Sequence, residues 1–449
     1  MVANLRIDSN SVTPLYRQVY EMLRASILRG ELVSGQRLQP TRELAEQLGL
    51  NRATVAAAYE LLEQEGLIRG HVGRGSFVAH RSIPSADAPA VIHFGTSRPD
   101  EELFPLEEFR ETVAEVLAER DLISLLQLGS PQGYLPLRRY LQAGSPAHDV
   151  LVTSGAQQAL DLIQRVYAPA GTTVYVENPA YPGLKNVFER AGVRLTPLED
   201  ITAPSAGGAL LVVTPNFQNP TGRTLPLEAR ERLLRRAADL GLLVVEIDIY
   251  SALRYCGEPL PSLLELDRRG RILQIGSFSK IAFPGLRTGW IRGPQEAIAQ
   301  LTEAKQWSDL HSDQLSQAIL LRFAESGRLA RHQERVIAQG VRQREAVLRA
   351  LEEAMPPGSR FTRPDGGMNL WVELPGDLDA ESLLDDAQRA GVSYLPARYF
   401  QTGRVDRNAF RLSFGGLTPA RITRGVRLLG EVFRRHQSGV PPAPATAIV

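Results

Sequence analysis

From about residue 92 onward, short apolar runs of strand length alternate with longer amphipathic segments. The apolar runs are Val150–Thr153, Thr173–Glu177, Ala209–Thr214, Leu242–Asp248 and Ile272–Ser277. Between them lie segments whose apolar residues have helical spacing, such as 155–167 and 227–240. Because strands that alternate with helices build parallel sheets, this pattern predicts an α/β unit with a largely parallel sheet.

The last part of this unit, about 333–435, has helices and strands of its own. Two of its predicted strands are Met368–Glu373 and Phe410–Phe414. We interpret this part as a small C-terminal lobe. The tail that follows, 437–449, is rich in Pro and Ala and is predicted to be disordered. The α/β domain is therefore predicted at 92–436.

The first 80 residues follow a different plan, with three helices and then a β-hairpin. The predicted elements are helices at 12–29, 42–48 and about 52–65, and strands at Leu67–His71 and Ser76–His80. Thr41 and Asn51 carry side-chain oxygens that can cap the second and third helices. This order is typical of a winged helix-turn-helix domain, predicted at 1–80. Residues 81–91, rich in Pro, Ala and Ser, are predicted to be a linker.

Composition excludes several classes of protein. The single cysteine, Cys256, excludes an intrachain disulfide and a metal site built on cysteine pairs, and we interpret it as a small core residue. The first residues, Met1–Arg6, lack the apolar run of a signal peptide, and no run of about 18 apolar residues suggests a membrane span. We therefore expect a cytoplasmic protein with no membrane contact and no metal.

The predicted helix-turn-helix places polar and basic residues where such domains meet DNA. Asn51, Arg52 and Thr54 lie at the start of the third helix, whose N-terminal residues enter the major groove. Arg42 begins the second helix and can reach the phosphate backbone. Arg74 lies between two glycines at the hairpin tip and can approach a minor groove closely. These five residues are the predicted DNA contacts, although the net charge of +1 does not by itself indicate nucleic acid.

Lysine is rare in this chain, which draws attention to the few positions where it occurs. The only lysines are Lys185, Lys280 and Lys305. Lys280 follows an apolar strand in the sequence Ser-Phe-Ser-Lys. A lysine in such a position suits pyridoxal phosphate, because the chemistry of this cofactor needs one lysine amine that forms a Schiff base with its aldehyde. We therefore predict that Lys280 holds this cofactor and that the other two lysines are surface residues.

Several residues suit the phosphate of such a cofactor. Arg287 lies seven residues after Lys280 and can grip a phosphate through two hydrogen bonds, while Ser277 and Ser279 add hydroxyl donors. Ser154, Gly155, Ala156 and Gln157 follow a strand and open a helix. The free amides and the dipole of a helix N-terminus favour a phosphate there.

Other residues suit the pyridine ring and a bound substrate. Asp248 ends a strand, and its carboxylate can pair with the protonated ring nitrogen. Tyr250 and Asn219 can hydrogen-bond to the phenolic oxygen of the ring, and Tyr181 can stack on its face. Arg411 can clamp the carboxylate of a substrate.

Two family resemblances rest on these motifs. The segments Leu38–Val55, Leu61–Ile68 and Gly73–Val78 resemble the GntR family of regulators over about 12–79. The ordered motifs from Ser154 to Arg411 resemble the class I aminotransferases of PLP fold type I over about 92–435. The fused chain resembles the MocR/GabR family of PLP-dependent regulators. That resemblance implies an operator DNA, an amino compound sensed through the Lys280 aldimine, and a head-to-tail homodimer.

Three functions remain open at this point. The chain is predicted to be a transcription regulator, and the alternatives are an active aminotransferase of an α-amino acid that carries a DNA-binding segment, or a sensor of the cofactor alone. The GABA-sensing members of the resembling family place a second arginine where this chain has Gly183. This difference favours an α-amino acid held by Arg411 alone over a GABA-like effector.

Overall fold

The computed structural model describes residues 14–28, 32, 36–64, 67–71, 75–78, 91–143, 147–201, 210–376, 378–403 and 405–437. The chain divides into two compact units, Met1–Ala90 and Val91–Val449. The tip of the hairpin with Arg74, residues 81–90 of the predicted linker and residues 438–449 of the predicted tail lie outside the described residues. Gln437, predicted to start the tail, ends a helix instead.

The first unit contains the predicted three helices and hairpin. Its elements are α1 (Leu15–Leu28), α2 (Thr41–Leu48), α3 (Arg52–Gln64), β1 (Ile68–His71) and β2 (Gly75–Val78). Asn51 caps α3 as predicted, because its Oδ1 accepts a hydrogen bond from the Ala53 amide at 3.0 Å. The prediction that Thr41 caps α2 is wrong: Thr41 is the first helical residue, and Pro40 precedes it without a side-chain cap.

A small apolar core holds this unit together. Val19 and Leu23 of α1 pack with Val55 and Leu62 of α3, and all four side chains are at most 2% exposed. The hydroxyl of buried Tyr59 donates to the Gln39 carbonyl oxygen at 2.8 Å, which ties α3 to the segment before α2. This packing fixes the angle at which α3 presents its N-terminal residues.

The second unit has many more elements, which we number on in chain order. Its helices are α4 (Leu106–Leu117), α5 (Leu122–Leu126), α6 (Leu135–Gln142), α7 (Ala156–Tyr167), α8 (Pro182–Arg190), α9 (Leu227–Asp239), α10 (Leu263–Leu266), α11 (Gln295–Asp309), α12 (Gln314–Glu325), α13 (Arg328–Ala354), α14 (Leu384–Arg389) and α15 (Pro419–Gln437). Its strands are β3 (Ile92–His93), β4 (Asp149–Thr153), β5 (Thr173–Val176), β6 (Arg194–Pro197), β7 (Leu210–Val213), β8 (Leu243–Ile247), β9 (Ile272–Ser277), β10 (Gly289–Gly293), β11 (Arg360–Phe361), β12 (Asn369–Glu373), β13 (Val392–Ser393), β14 (Leu395–Pro396) and β15 (Ala409–Ser413).

Seven of these strands form the main sheet, in the order β4-β10-β9-β8-β7-β5-β6. The pairs from β9 to β6 are parallel, and β10 runs antiparallel between β4 and β9. The predicted, largely parallel sheet is confirmed, and all strands except β10 end at the same edge. Sequence reasoning missed β6 and β10, because β6 is a partly exposed edge strand and β10 has glycine at both ends.

The small lobe combines segments that are far apart in the chain. A four-stranded antiparallel sheet has the order β11-β12-β15-β14, and helices α13 and α15 pack in the same lobe. Strand β3, at the start of the unit, pairs in parallel with β13. Because β3 is held in the small lobe, the residues that follow it, 95–97, reach the carboxyl edge of the main sheet.

Three predictions about single residues need correction or extension. Lys305 is not a surface residue: it is fully buried on α11, and its Nζ pairs with Asp309 Oδ1 at 2.7 Å. Lys185 is partly buried, and its Nζ donates to the Gln401 carbonyl oxygen at 2.5 Å. Cys256 is exposed and is not a core residue. Among the described residues, no helix has the length and apolar character of a membrane span, and no cluster of side chains could hold a metal ion.

Candidate functional site

A cleft of about 390 Å³ lies at the carboxyl edge of the main sheet. The predicted residues that line it are Ala156, Gln157, Tyr181, Asn219, Tyr250, Ser277, Ser279, Lys280, Arg287 and Arg411. Ser154 and Gly155 do not line the cleft, but both contact Arg287, which does. Asp248 directly precedes Ile249 and Tyr250, which also line the cleft. The fold therefore brings the predicted cofactor residues together from segments between 154 and 411.

One end of the cleft is rich in hydrogen-bond donors. Helix α7 begins there after Gly155, whose φ of 85° is in the region that favours glycine. A Cβ at position 155 would lie 2.5 Å from Arg287 Nη2, so only glycine lets this guanidinium approach the helix start. The hydroxyls of Ser277 and Ser279 lie 3.0 Å apart at the same end. Free helix amides, a guanidinium and two hydroxyls are the donor set that a phosphate needs.

A buried carboxylate lies at the end of β8. Burial raises the pKa of Asp248, while hydrogen bonds from Ser251 Oγ at 2.9 Å and Asn216 Nδ2 at 3.4 Å, together with the positive charge of Arg230, oppose that rise. Sequence reasoning did not find these three supporting residues. A carboxylate fixed in this way is suited to a cationic partner such as a protonated ring nitrogen.

Lys280 reaches into the cleft from the residues after β9. Its Nζ donates to the Ser97 carbonyl oxygen at 2.5 Å and lies 5.8 Å from the ring centroid of Tyr250. Tyr250 is only 1% exposed, and its hydroxyl accepts from Asn369 Nδ2 at 3.5 Å. The amine and the phenol are therefore held close together, with the amine next to the short segment 95–97.

Arg411 lines the cleft from β15 of the small lobe. Its Nη1 donates to Asn219 Oδ1 at 3.0 Å, its Nη2 donates to the Gly95 carbonyl oxygen, and its guanidinium carbon lies 5.0 Å from the centroid of the Phe400 ring. Burial lowers the pKa of Arg411 to about 10, so the group is charged at neutral pH. Within the described residues, its buried Nε has no hydrogen-bond partner and no carboxylate pairs with the charge. A buried, incompletely paired cation is suited to an anionic ligand.

The environment of Tyr181 explains the glycine two residues later. The hydroxyl of Tyr181 donates to Gln157 Oε1 at 3.5 Å. A Cβ at position 183 would lie 2.4 Å from Tyr181 Cε1 and 2.6 Å from Gln157 Oε1. Any side chain in place of Gly183 would therefore displace the tyrosine ring or the glutamine from the cleft wall.

Sequence reasoning missed part of the lining. Gly95, Thr96 and Ser97 line the cleft, as do Ile249 and Leu395. The first three follow the short run 91–94, which is apolar except for His93 and is a weak signal for a strand that ends at a site. Nothing in the sequence pattern connects Leu395 to Lys280, because the two meet only through the packing of the small lobe.

The first unit presents the predicted DNA-contacting residues at two helix starts. Arg42, Asn51 and Arg52 are exposed, and Thr54 is partly buried. Asn51 Oδ1 is occupied as the cap of α3, so its side-chain amide group is the part left for another partner. Arg37 is a basic residue that sequence reasoning missed: it is exposed and bridges to the hairpin at Phe77.

Comparisons with known proteins decide what this arrangement is. Residues 134–429 match the family model of aminotransferase class I and II, and residues 15–78 match that of bacterial regulatory proteins, gntR family. The chain belongs to the aminotransferase class I and II family. Its N-terminal unit is a GntR helix-turn-helix domain, a type of domain that binds DNA.

Two relatives differ in how much of this chain they match. The probable rhizopine catabolism regulatory protein MocR of Rhizobium meliloti is 30% identical, with 99% of this chain and 99% of that protein covered. The 2-aminoadipate transaminase of Thermus thermophilus is 37% identical and covers 77% of this chain and 91% of its own length. The chain is therefore a MocR-type regulator with an aminotransferase-like domain.

Solved structures support the fold and the cofactor. Kynurenine aminotransferase of Pyrococcus horikoshii, solved with PMP, has a TM-score of 0.73 and 33% identity over 78% of this chain and 92% of its own. LysN of Thermus thermophilus, complexed with N-(5'-phosphopyridoxyl)-L-leucine, has a TM-score of 0.72 and 36% identity over 78% and 94%. The donor-rich end of the cleft fits the phosphate of pyridoxal phosphate, which is the cofactor of the family.

Proposed function

We propose that this MocR-type regulator senses an α-amino acid at its cofactor cleft and changes its affinity for operator DNA in response. The observation that carries the proposal is Arg411. A buried guanidinium with an unpaired Nε lines the same cleft as the Lys280 amine. A ligand with both a carboxylate and an amine can engage the two residues together.

Lys280 is the residue that would bond to the cofactor aldehyde, since its amine lies in the cleft beside Tyr250. The bound cofactor supplies an electrophilic carbon and an electron sink. Arg287, the N-terminus of α7 and the hydroxyls of Ser277 and Ser279 would hold the phosphate. These donors lie together at one end of the cleft, where the phosphate would be held.

Other residues at the cleft would hold the ring. Asp248 would pair with the ring nitrogen, and Tyr250 would donate to the phenolic oxygen. Asn219 would donate to the same oxygen through Nδ2, since its Oδ1 already accepts from Arg411. The ring of Tyr181 would cover the face of the cofactor. Asn219 thus joins the cofactor to the arginine that binds the ligand.

The class of effector follows from the charges in the cleft. Arg287 is assigned to the phosphate, which leaves Arg411 to take one ligand carboxylate. A second arginine at position 183 is incompatible with the present positions of Tyr181 and Gln157. The proposed effector is therefore an α-amino acid, and a GABA-like compound held between two arginines is disfavoured.

Arg42, Asn51, Arg52, Thr54 and Arg74 would contact the operator. We further propose a head-to-tail homodimer, which presents two reading domains to two half-sites. Leu128, Ile123 and Leu126 are 79%, 71% and 65% exposed in the single chain. Because the three residues are close in the chain, they can form one apolar patch of the kind that a second protein chain covers.

A second candidate function is transamination, because the cleft holds both a lysine amine and a carboxylate-binding arginine. The two functions are separated by one titration of the PLP-loaded protein with each amino acid, read from the cofactor absorbance, with and without a two-site operator. Regulation predicts that the operator shifts the amino acid affinity, by about five- to 150-fold where such coupling exists. Identical curves, together with turnover in the presence of 2-oxoglutarate, would favour the enzyme.

The control is an operator with one half-site, which should leave the amino acid affinity nearly unchanged. A sensor of the cofactor alone predicts a third result. Operator affinity would then differ between apo and PLP-loaded protein, and no amino acid would alter it further.

A further inference from the structure

A second concavity of about 400 Å³ lies at the amino edge of the main sheet, opposite the cofactor cleft. Its floor contains Ala237 of α9, Leu242 and Val244 of the β8 segment and Ile272 of β9. These four residues also belong to one core cluster and are at most 2% exposed. Leu234, Ala238 and Leu266 also line the concavity and are only partly buried, so these three residues provide the apolar surface that a ligand can reach. It shares no lining residue with the cofactor cleft.

The rim of this concavity is basic. Arg268, Arg269 and Arg271 line it from the turn before β9, and all three are exposed. The Asp267 carboxylate accepts from the backbone amides of Arg269 and Arg271, each at 2.8 Å, so both of its oxygens serve the turn itself. Among the described residues, no carboxylate pairs with these three guanidinium groups.

The remaining charges of the rim do not neutralise it. Arg235 of α9 also lines the concavity and is 3.7 Å from Glu231 in an exposed pair, which contributes little binding energy. Positive charge therefore exceeds negative charge around an apolar floor. This combination selects one ligand chemistry, an anionic head group on an apolar body.

We propose that this concavity is a second ligand site, specific for an amphipathic carboxylate such as a medium-chain fatty acid. The hydrocarbon part covers Leu234, Ala238 and Leu266, and the carboxylate accepts hydrogen bonds from the arginines of the rim. The volume is within the range of about 300–1,000 Å³ that is usual for small-molecule sites. Guanidinium groups match the planar carboxylate through paired hydrogen bonds.

The experiment is isothermal titration of the full-length, PLP-loaded protein with octanoate. Three probes separate the parts of the ligand: octanoate, octanamide without the charge, and inorganic phosphate without the apolar body. Octanoate is expected to bind once per chain and at least tenfold more tightly than either of the others. Equal affinity for octanamide or for phosphate would overturn the proposal, because only one part of the site would then matter.

Two variants locate the binding. The triple substitution Arg268→Gln, Arg269→Gln and Arg271→Gln removes the charges of the rim, and Ala238→Phe fills the space from α9. Each variant is expected to weaken octanoate binding at least tenfold. The triple variant changes only exposed side chains, so it still tests the site if Ala238→Phe fails to fold. The matched control is Arg232→Gln on the outer face of α9, which should leave affinity unchanged.

Two further results would contradict the site. Octanoate could bind with the same affinity to the wild type and to the triple variant, which would place it elsewhere. Alternatively, binding could be lost in Arg411→Gln and accompanied by a change in cofactor absorbance. That result would place octanoate in the cofactor cleft and leave the second concavity without a ligand.

Discussion

The substitution Arg411→Gln tests the residue on which the proposed effector class depends. A hydrogen bond to a charged group contributes about 1.5–3 kcal/mol, and truncation of one partner of a buried charged pair costs about 2–5 kcal/mol. Two arms of the Arg411 guanidinium are already engaged, by Asn219 and by the Gly95 carbonyl oxygen, so the ligand does not gain every donor. We therefore expect a loss of about 3 kcal/mol, which corresponds to about 100-fold in amino acid affinity.

The assay compares an amino acid with the amine that its decarboxylation gives. Both are titrated into the PLP-loaded wild type and into Arg411→Gln, with the cofactor absorbance as the signal. The amino acid should lose about 100-fold in affinity in the variant, whereas the amine should be almost unaffected, because it has no carboxylate. The difference between the two losses isolates the contact between Arg411 and the carboxylate.

Two results would refute this reasoning. If the amino acid and the amine lost affinity equally, Arg411 would act on the shape of the cleft and not on the carboxylate. If neither lost affinity, the carboxylate would be bound by another residue. Thermal unfolding of the variant shows whether the cleft still folds, since the substitution leaves the Gly95 and Asn219 oxygens without this donor.

Four further predictions test other parts of the molecule. Borohydride reduction and peptide mapping should place the cofactor label on Lys280, and a label on either of the other two lysines would contradict its assignment. Arg52→Ala should weaken operator binding and lower its salt slope by about one if a phosphate contact is lost, and unchanged affinity and slope would show that α3 is misplaced on DNA. Gly183→Ala should alter the cofactor spectrum and weaken cofactor binding about tenfold, because overpacking costs roughly 1–3 kcal/mol. The control Gly285→Ala should change neither, because a Cβ at position 285 would meet nothing within 4 Å. Burial raises the pKa of Tyr59 to about 12, whereas the same tyrosine ionises at about 10 in the unfolded chain. The first unit should therefore lose stability as the pH rises from about 10 to about 12. Alkaline unfolding of Tyr59→Phe should not show this loss.

The local pattern of the sequence was sufficient to predict the architecture. Alternation of apolar runs and amphipathic segments predicted the parallel part of the main sheet. Strands such as β8 and β9 are buried along most of their length, so each appears in the sequence as a clear run of apolar residues. The motif order also predicted that these residues would meet in one cleft, because the carboxyl ends of parallel strands lie at one edge. For this reason, the sequence alone can predict which side chains meet at the carboxyl edge of the sheet.

What depends on long-range packing could not be predicted. The segment 95–97 reaches Lys280 only because β3 pairs with β13, about 300 residues later in the chain. Lys305 looked like a surface residue, yet the packing of α11 buries it beside Asp309. The sequence shows which side chains a strand or helix carries, whereas burial and partners depend on which distant surfaces pack together, and that was decided by the tertiary structure alone.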